Sequence, residues 1–127
     1  MIQGLGVDII EIARIRKGIE AWGAAFLNKI FTDVEIRYCS SKKDPYQHFA
    51  ARFAAKEAVS KALATGWRGG FRWKDVEVVN SPSGEPRIVL YRRVAELLST
   101  SKVFLSLSHS KSYVVACAVI ESAAHSA

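Results

Sequence analysis

Between Asp44 and Leu63 the sequence specifies one long helix. Asp44-Pro45-Tyr46-Gln47 joins a capping aspartate, a proline at the first helical position and a glutamine three residues after the cap. The alanine-rich run Arg52-Phe53-Ala54-Ala55-Lys56-Glu57-Ala58-Val59-Ser60-Lys61-Ala62-Leu63 carries the helix on. It is expected to span about Pro45 to Leu63, with Gly66 in the left-handed position just past its end. The chain has 127 residues, half of them apolar, enough for one domain with a real core and too few for two ordinary ones. The remaining elements are therefore expected to pack on this helix in a single domain covering residues 1–127.

Residues 2–10 read as a buried strand with glycines at positions 4 and 6 and an intruding acid, Asp8. From Glu11 onward Ile12, Ile15, Ile19, Trp22, Phe26 and Ile30 repeat with helical period. Gly18 and Gly23 mark bends or a break between two helices, and Arg14 and Lys17 occupy the opposite face. Thr32-Asp33-Val34-Glu35 is a capping box that opens a short helix. Beyond the long helix, Gly69-Gly70 prolongs a loop, residues 76–79 alternate like a strand, and Ser81-Pro82-Ser83-Gly84 turns the chain into a strand at 87–90. Val94, Leu97 and Leu98 are expected on one face of a short helix. Two last strands, 103–108 and 113–120, flank the polar turn His109-Ser110-Lys111-Ser112. This order implies an α+β fold, an antiparallel sheet packed by one long helix.

The formal charge of +6 predicts an acidic partner: nucleic acid, a nucleotide, a membrane surface or an acidic protein. The basic residues are scattered, with no basic terminal arm and no RNA-recognition aromatic signature, so a basic nucleotide- or RNA-binding module without turnover is the alternative reading. No apolar stretch reaches the roughly 20 residues needed to span a bilayer, and Met1-Ile2-Gln3-Gly4 does not begin a secretion signal. A soluble, cytoplasmic protein without membrane attachment is expected. Cys39 and Cys117 lack CxxC spacing and are read as reduced thiols.

Three polar islands interrupt the apolar elements: Asp8 on a strand, Arg52 with Glu57 and Lys61 on the long helix, and His109 at the hairpin turn. Glu57 and Lys61 are four apart, about 40° around a helix, so a carboxylate and an ammonium point the same way. In isolation such a pair is usually a solvated helix-stabilising contact. Together the islands form a magnesium–phosphate kit. Magnesium takes oxygen ligands, keeps several waters and needs only one or two carboxylates, here Asp8 and Glu57. Arg52 and Lys61 suit nonbridging phosphate oxygens, and His109 suits phosphate or ribose. Asp8 could instead cap the helix that follows, and Glu35 sits where the capping box needs it.

Gly6-Val7-Asp8-Ile9-Ile10-Glu11, Arg52-Phe53-Ala54-Ala55-Lys56-Glu57-Ala58 through Lys61-Ala62, and Ser108-His109-Ser110 resemble, in order and spacing, the signatures of the holo-acyl-carrier-protein synthases. These are 4'-phosphopantetheinyl transferases of the short, single-domain class. One departure is Ala64, where many relatives continue with glycine. The resemblance implies transfer of phosphopantetheine from coenzyme A to a serine of apo-acyl carrier protein in support of fatty acid biosynthesis, with adenosine 3',5'-bisphosphate released. It implies magnesium, with manganese as the other candidate, on Asp8 and Glu57. Asp8, Glu57 and Lys61 would be catalytic, Glu57 taking the serine proton directly or through a metal-bound water, with Glu35 a weaker candidate base. Lys61 would contact the pyrophosphate, and Arg52, His109 and Ser110 the coenzyme A phosphates, with Lys42 and Lys43 near the same ligand. Adenine would lie against the Gly84-Glu85-Pro86 turn, and Arg14 would face the acidic carrier protein. Relatives of this length are similar in being homotrimers with sites shared between subunits. A hydrolase using the same clamp is a third possibility.

Overall fold

The computed structural model describes residues 1–63 and 72–123. Expectations placed on Ala64, Gly66, Gly69 and Gly70 lie outside the described residues. In chain order the elements are β1 (Ile2–Glu11), α1 (Ile12–Trp22), α2 (Ala24–Ile30), α3 (Asp33–Ser40), α4 (Pro45–Leu63), a 3-10 turn at Trp73–Asp75, β2 (Val76–Asn80), β3 (Pro86–Leu90), α5 (Arg92–Leu97), β4 (Ser101–His109) and β5 (Tyr113–Ser122). The break in the first helical stretch falls at Gly23, and Gly18 remains inside α1. The Thr32 capping box forms with both of its bonds in place.

The sheet is antiparallel with order β1-β5-β4, and β2 and β3 form a separate two-stranded hairpin. Helix α4 crosses the inner face of the larger sheet and buries Phe49, Ala50, Ala54, Ala55, Ala58, Val59, Ala62 and Leu63. Its alanines have a specific use. A Cβ added at Gly6 would stand 1.9 Å from the Ala58 carbonyl oxygen, and one at Gly4 would stand 2.2 Å from that of Ala62. Glycine on the strand and alanine on the helix thus let two backbones touch, which carries the polar side chains of α4 up to those of β1.

Opposite α4 the inward residues of β1 are Gly4, Gly6 and Asp8, with Ile10 buried at its end, while three larger apolar residues face out: Leu5, Val7 and Ile9 are 63%, 52% and 62% exposed. Register aligns Leu5 with Val119 and Phe104, Val7 with Cys117 and Ser106, and Ile9 with Val115 and Ser108. The expected burial of β1 thus holds on one face only. Leu97 also departs from expectation: Val94 and Leu98 are buried while Leu97 is 44% exposed, because adjacent helical residues lie about 100° apart and cannot share a narrow face.

Candidate active site

Close approach of β1 and α4 builds the first cluster. Asp8 faces inward between Gly6 and Ile10, and Lys61 Nζ donates to Asp8 Oδ1 and to the Val7 carbonyl, each at 3.0 Å. Glu57, one turn earlier on α4, joins Asp8, Arg14, Ile10, Ile15, Phe26 and Phe53 around a cavity of about 390 Å³. Burial, and then the Asp8 carboxylate, push the Glu57 carboxyl above its ordinary value, while Lys61 pulls it down. Two carboxylates close enough to disturb each other, partly offset by one lysine, form a site that favours an added cation. Among the described residues no three His, Cys, Asp or Glu side chains gather at one point. A donor set of two carboxylates fits magnesium or manganese, which take oxygen ligands and fill the remainder with water and phosphate.

A second cavity, of about 310 Å³, opens between α4, the β2–β3 hairpin and β4, with Arg52, Asn80, Gly84, Pro86, His109 and Tyr38 among its lining residues. Arg52 is only 3% exposed. Its guanidinium lies 4.3 Å from the centre of the Tyr38 ring, and Nη2 donates to Asn80 Oδ1 at 2.6 Å. Nε is buried and has no hydrogen-bond partner among the described residues. Lys42 lies over the same tyrosine ring at 4.5 Å. Burial, followed by the Arg52 and Lys42 charges, lowers the pKa of His48 on the cavity wall. This cavity is positive, and no carboxylate is among its described lining residues, although the Asp44 charge partly offsets the shift of His48. Gln47 Nε2 lies 2.7 Å from His109 Nδ1. With the amide donating, the neutral ring carries its proton on Nε2.

The structure thus sorts the expected residues into two sets. Asp8, Glu57 and Arg14 line the carboxylate cavity and Lys61 bonds to Asp8 at its side, whereas Arg52, His109, Gly84 and Pro86 line the positive one. They are not one constellation within the chain, because α4 stands between them: Arg52 lies roughly 140° from Glu57 and 180° from Lys61 around the helix. Lys43 is exposed and lines neither cavity. Ser110 serves the turn, its Oγ accepting from the Ser112 and Tyr113 amides at 3.4 and 3.2 Å. Glu35 is corrected from candidate base to structural group. It is fully buried, accepts from the Thr32 and Val78 amides at 2.9 and 2.8 Å, and pairs with Lys56 at 2.8 Å. No oxygen of it reaches either cavity.

Sequence reasoning missed Tyr38, Asn80 and Gln47. Each lies among ordinary polar positions, and only the fold brings them to Arg52 and His109.

Residues 4–118 match the model of the 4'-phosphopantetheinyl transferase superfamily. The chain is 52% identical over 124 residues to a holo-[acyl-carrier-protein] synthase of Geobacter sp. strain M21, covering 95% of this chain and 99% of that one. It is 56% identical over 115 residues to the same-named protein of Chlamydia caviae, covering 91% and 93%. A crystal structure of a holo-(acyl-carrier-protein) synthase from Bacillus anthracis in complex with CoA (3',5'-ADP) superposes with a TM-score of 0.81 at 38% identity, covering 97% of this chain and 99% of that one. Fold and full-length similarity agree, and the chain belongs to the holo-[acyl-carrier-protein] synthase family of the 4'-phosphopantetheinyl transferase superfamily.

Proposed function

We propose that the carboxylate cavity and the Arg52 cavity are complementary halves of a coenzyme A site. There the chain transfers 4'-phosphopantetheine to a serine of apo-acyl carrier protein, as a cytoplasmic enzyme supporting fatty acid biosynthesis. One observation carries the reading: Arg52 is 3% exposed and, among the described residues, has no carboxylate in its cavity lining and no hydrogen-bond partner for its buried Nε. A buried charge without a counter-ion costs several kcal/mol, which an incoming phosphate would offset. The ribose phosphate of coenzyme A is such an anion, distinct from the diphosphate that the carboxylate side would handle, and His109 lines the same cavity. The Gly84–Pro86 turn borders the cavity where the base would lie.

On the other side, Asp8 and Glu57 would hold magnesium or manganese, which supplies charge neutralisation at the diphosphate. The serine oxygen attacks the phosphorus that carries pantetheine, the diphosphate P–O bond breaks, and adenosine 3',5'-bisphosphate leaves. Glu57 would accept the serine proton. Lys61 can turn from Asp8 toward the leaving oxygen, since half of its side chain is exposed. Arg14 borders the carboxylate cavity, where an acidic carrier protein would deliver its serine, and the +6 charge favours that encounter at low salt. Among the described residues no helix is long and apolar enough to cross a membrane.

A homotrimer completes the arrangement. The apolar face of Leu5, Val7, Ile9 and Phe104 is what subunits would cover, and a site shared between neighbours relieves the separation that α4 imposes. Val7→Lys is expected to convert a trimeric sedimentation mass into a monomeric one and to remove most transferase activity. A wild-type protein that sediments as a monomer at micromolar concentration would overturn the trimer.

Intact-mass measurement of apo-acyl carrier protein incubated with coenzyme A, magnesium and the protein tests the reaction itself. A gain of one phosphopantetheine, lost on chelation of the metal, is expected. Retained coenzyme A binding without a gain would favour a nucleotide-binding module, and free phosphopantetheine would indicate a hydrolase.

A further inference from the structure

The geometry points to Asn80 as the positioning residue that locks phosphate recognition to base recognition in the Arg52 cavity. This inference rests on the reading of that cavity as the nucleotide end of the coenzyme A site. Asn80 is the last residue of β2, paired with Pro86, and its side-chain amide is engaged at both ends. Oδ1 accepts from Arg52 Nη2 at 2.6 Å, and Nδ2 donates to the Gly84 carbonyl at 2.9 Å. Chemistry fixes this orientation: a guanidinium only donates and a carbonyl only accepts, so the amide cannot be reversed without losing both bonds.

The consequence is mechanical. Arg52 projects from α4, whereas Gly84 belongs to the β2–β3 turn, and the two elements come from different parts of the chain. Gly84 has φ of 96°, a left-handed conformation that suits glycine, and its amide donates to Ser81 at 2.8 Å. The turn is thus closed locally but tied to the helix side through Asn80. The Arg52 guanidinium is held on one face by Tyr38 and at Nη2 by Asn80. Two constraints define its plane, and Nε remains available inside the cavity. An arginine with five possible donor directions becomes a receptor with one orientation, at a fixed distance from the turn. A nucleotide carrying both a base and a ribose phosphate can satisfy the two walls together. One lacking the phosphate gains nothing from the alignment.

Steady-state kinetics with coenzyme A and with 3'-dephospho-coenzyme A provide the test, on wild type, Asn80→Ala, Asn80→Asp and Arg52→Ala. Asn80→Ala is expected to raise KM for coenzyme A about tenfold, from the loss of a hydrogen bond to a charged donor. Its kcat at saturating coenzyme A should change by less than about twofold, and its preference for coenzyme A over the dephospho form should fall at least fivefold. A residue that merely supports the fold would weaken both donors alike and leave that ratio unmoved. Asn80→Asp keeps an acceptor for Arg52 but loses the donor to Gly84 and adds a negative charge, so it should also lose discrimination while retaining its fold. Calorimetric titration of Asn80→Asp with adenosine 3',5'-bisphosphate gives the same readout without turnover, with at least tenfold weaker binding expected. If Arg52→Ala abolishes discrimination but both Asn80 variants keep the wild-type ratio, the role of Asn80 is wrong and the cavity assignment survives. Unchanged discrimination in Arg52→Ala would remove the cavity assignment, and this inference with it.

Discussion

Glu57→Gln is expected to lower kcat by about 10²- to 10⁴-fold, the range associated with a positioned general base, without unfolding the protein. The substitution keeps volume and shape but removes the charge that Asp8 and burial already oppose. Its effect on stability should have the opposite sign. A carboxyl whose folded pKa is raised loses folding free energy as pH climbs from its unfolded value through its folded one, so at neutral pH the ionised Glu57 is a cost that glutamine removes. Thermal denaturation should therefore show Glu57→Gln at least as stable as wild type while transfer is nearly lost, a division expected where a charge is kept for chemistry. Turnover retained at saturating magnesium would sink the assignment of Glu57.

The same electrostatics predict the pH profile. With Glu57 as the proposed general base, its deprotonated form would be the active one, so kcat/KM should rise through an acid limb above the ordinary carboxylate range of about 4.3. Burial is the main cause and Asp8 the second. Because Lys61 is the one contribution that lowers this pKa, Lys61→Met should move the limb to higher pH, whereas added magnesium should move it down. A limb that stays fixed in Lys61→Met would separate it from Glu57.

The helix that carries these groups was legible because its signals are local: an Asp-Pro start, alanine through the middle and a four-residue spacing that aligns Glu57 with Lys61. The resemblance linked Asp8 to them, and the fold agrees through the Lys61–Asp8 contact. Less legible was the direction of β1. Hydrophobicity would turn Leu5, Val7 and Ile9 inward, yet Gly4, Gly6 and Asp8 face α4 because the helix backbone leaves no room for more. The separation of Arg52 from Glu57 was present in a five-residue spacing, but grouping residues by chemical type conceals it. Asn80 carried no local signal, since its two partners are fixed only when β2 pairs with β3 and packs beside α4. Lys56 did carry one: Phe49, Arg52, Lys56, Val59 and Leu63 repeat at three- and four-residue spacing on one side of the helix.

Lys56→Ala is expected to destabilise the fold by about 3–5 kcal/mol, the cost of leaving one partner of a buried ion pair uncompensated. Lys56 and Glu35 are both fully buried and 2.8 Å apart. Burial lowers the Lys56 pKa, and the Glu35 charge and hydrogen bond act against that shift. The ammonium also donates to the Trp73 carbonyl at 2.9 Å and to that of Val76. One lysine thus ties α4 to α3 and to the start of β2. Removing it strips three acceptors of a donor at once and leaves Glu35 with only the Thr32 and Val78 amides. Against a total stability of about 5–15 kcal/mol for an ordinary domain, melting should fall on the order of 10–20 °C. The double change Lys56→Met with Glu35→Gln should recover much of that loss, because it removes both charges while keeping volume, whereas either single change should not. Equal melting of Lys56→Ala and the double variant would mean that the pair is uncoupled and that the carbonyl contacts alone hold the joint. Glu57 and Lys61 lie about 100° and 140° around α4 from Lys56, toward Asp8 and away from this joint. The rescued double variant should therefore regain its carboxylate site and transfer with a kcat close to wild type, separating the lysine that holds the helix from Lys61, the lysine proposed to serve the reaction.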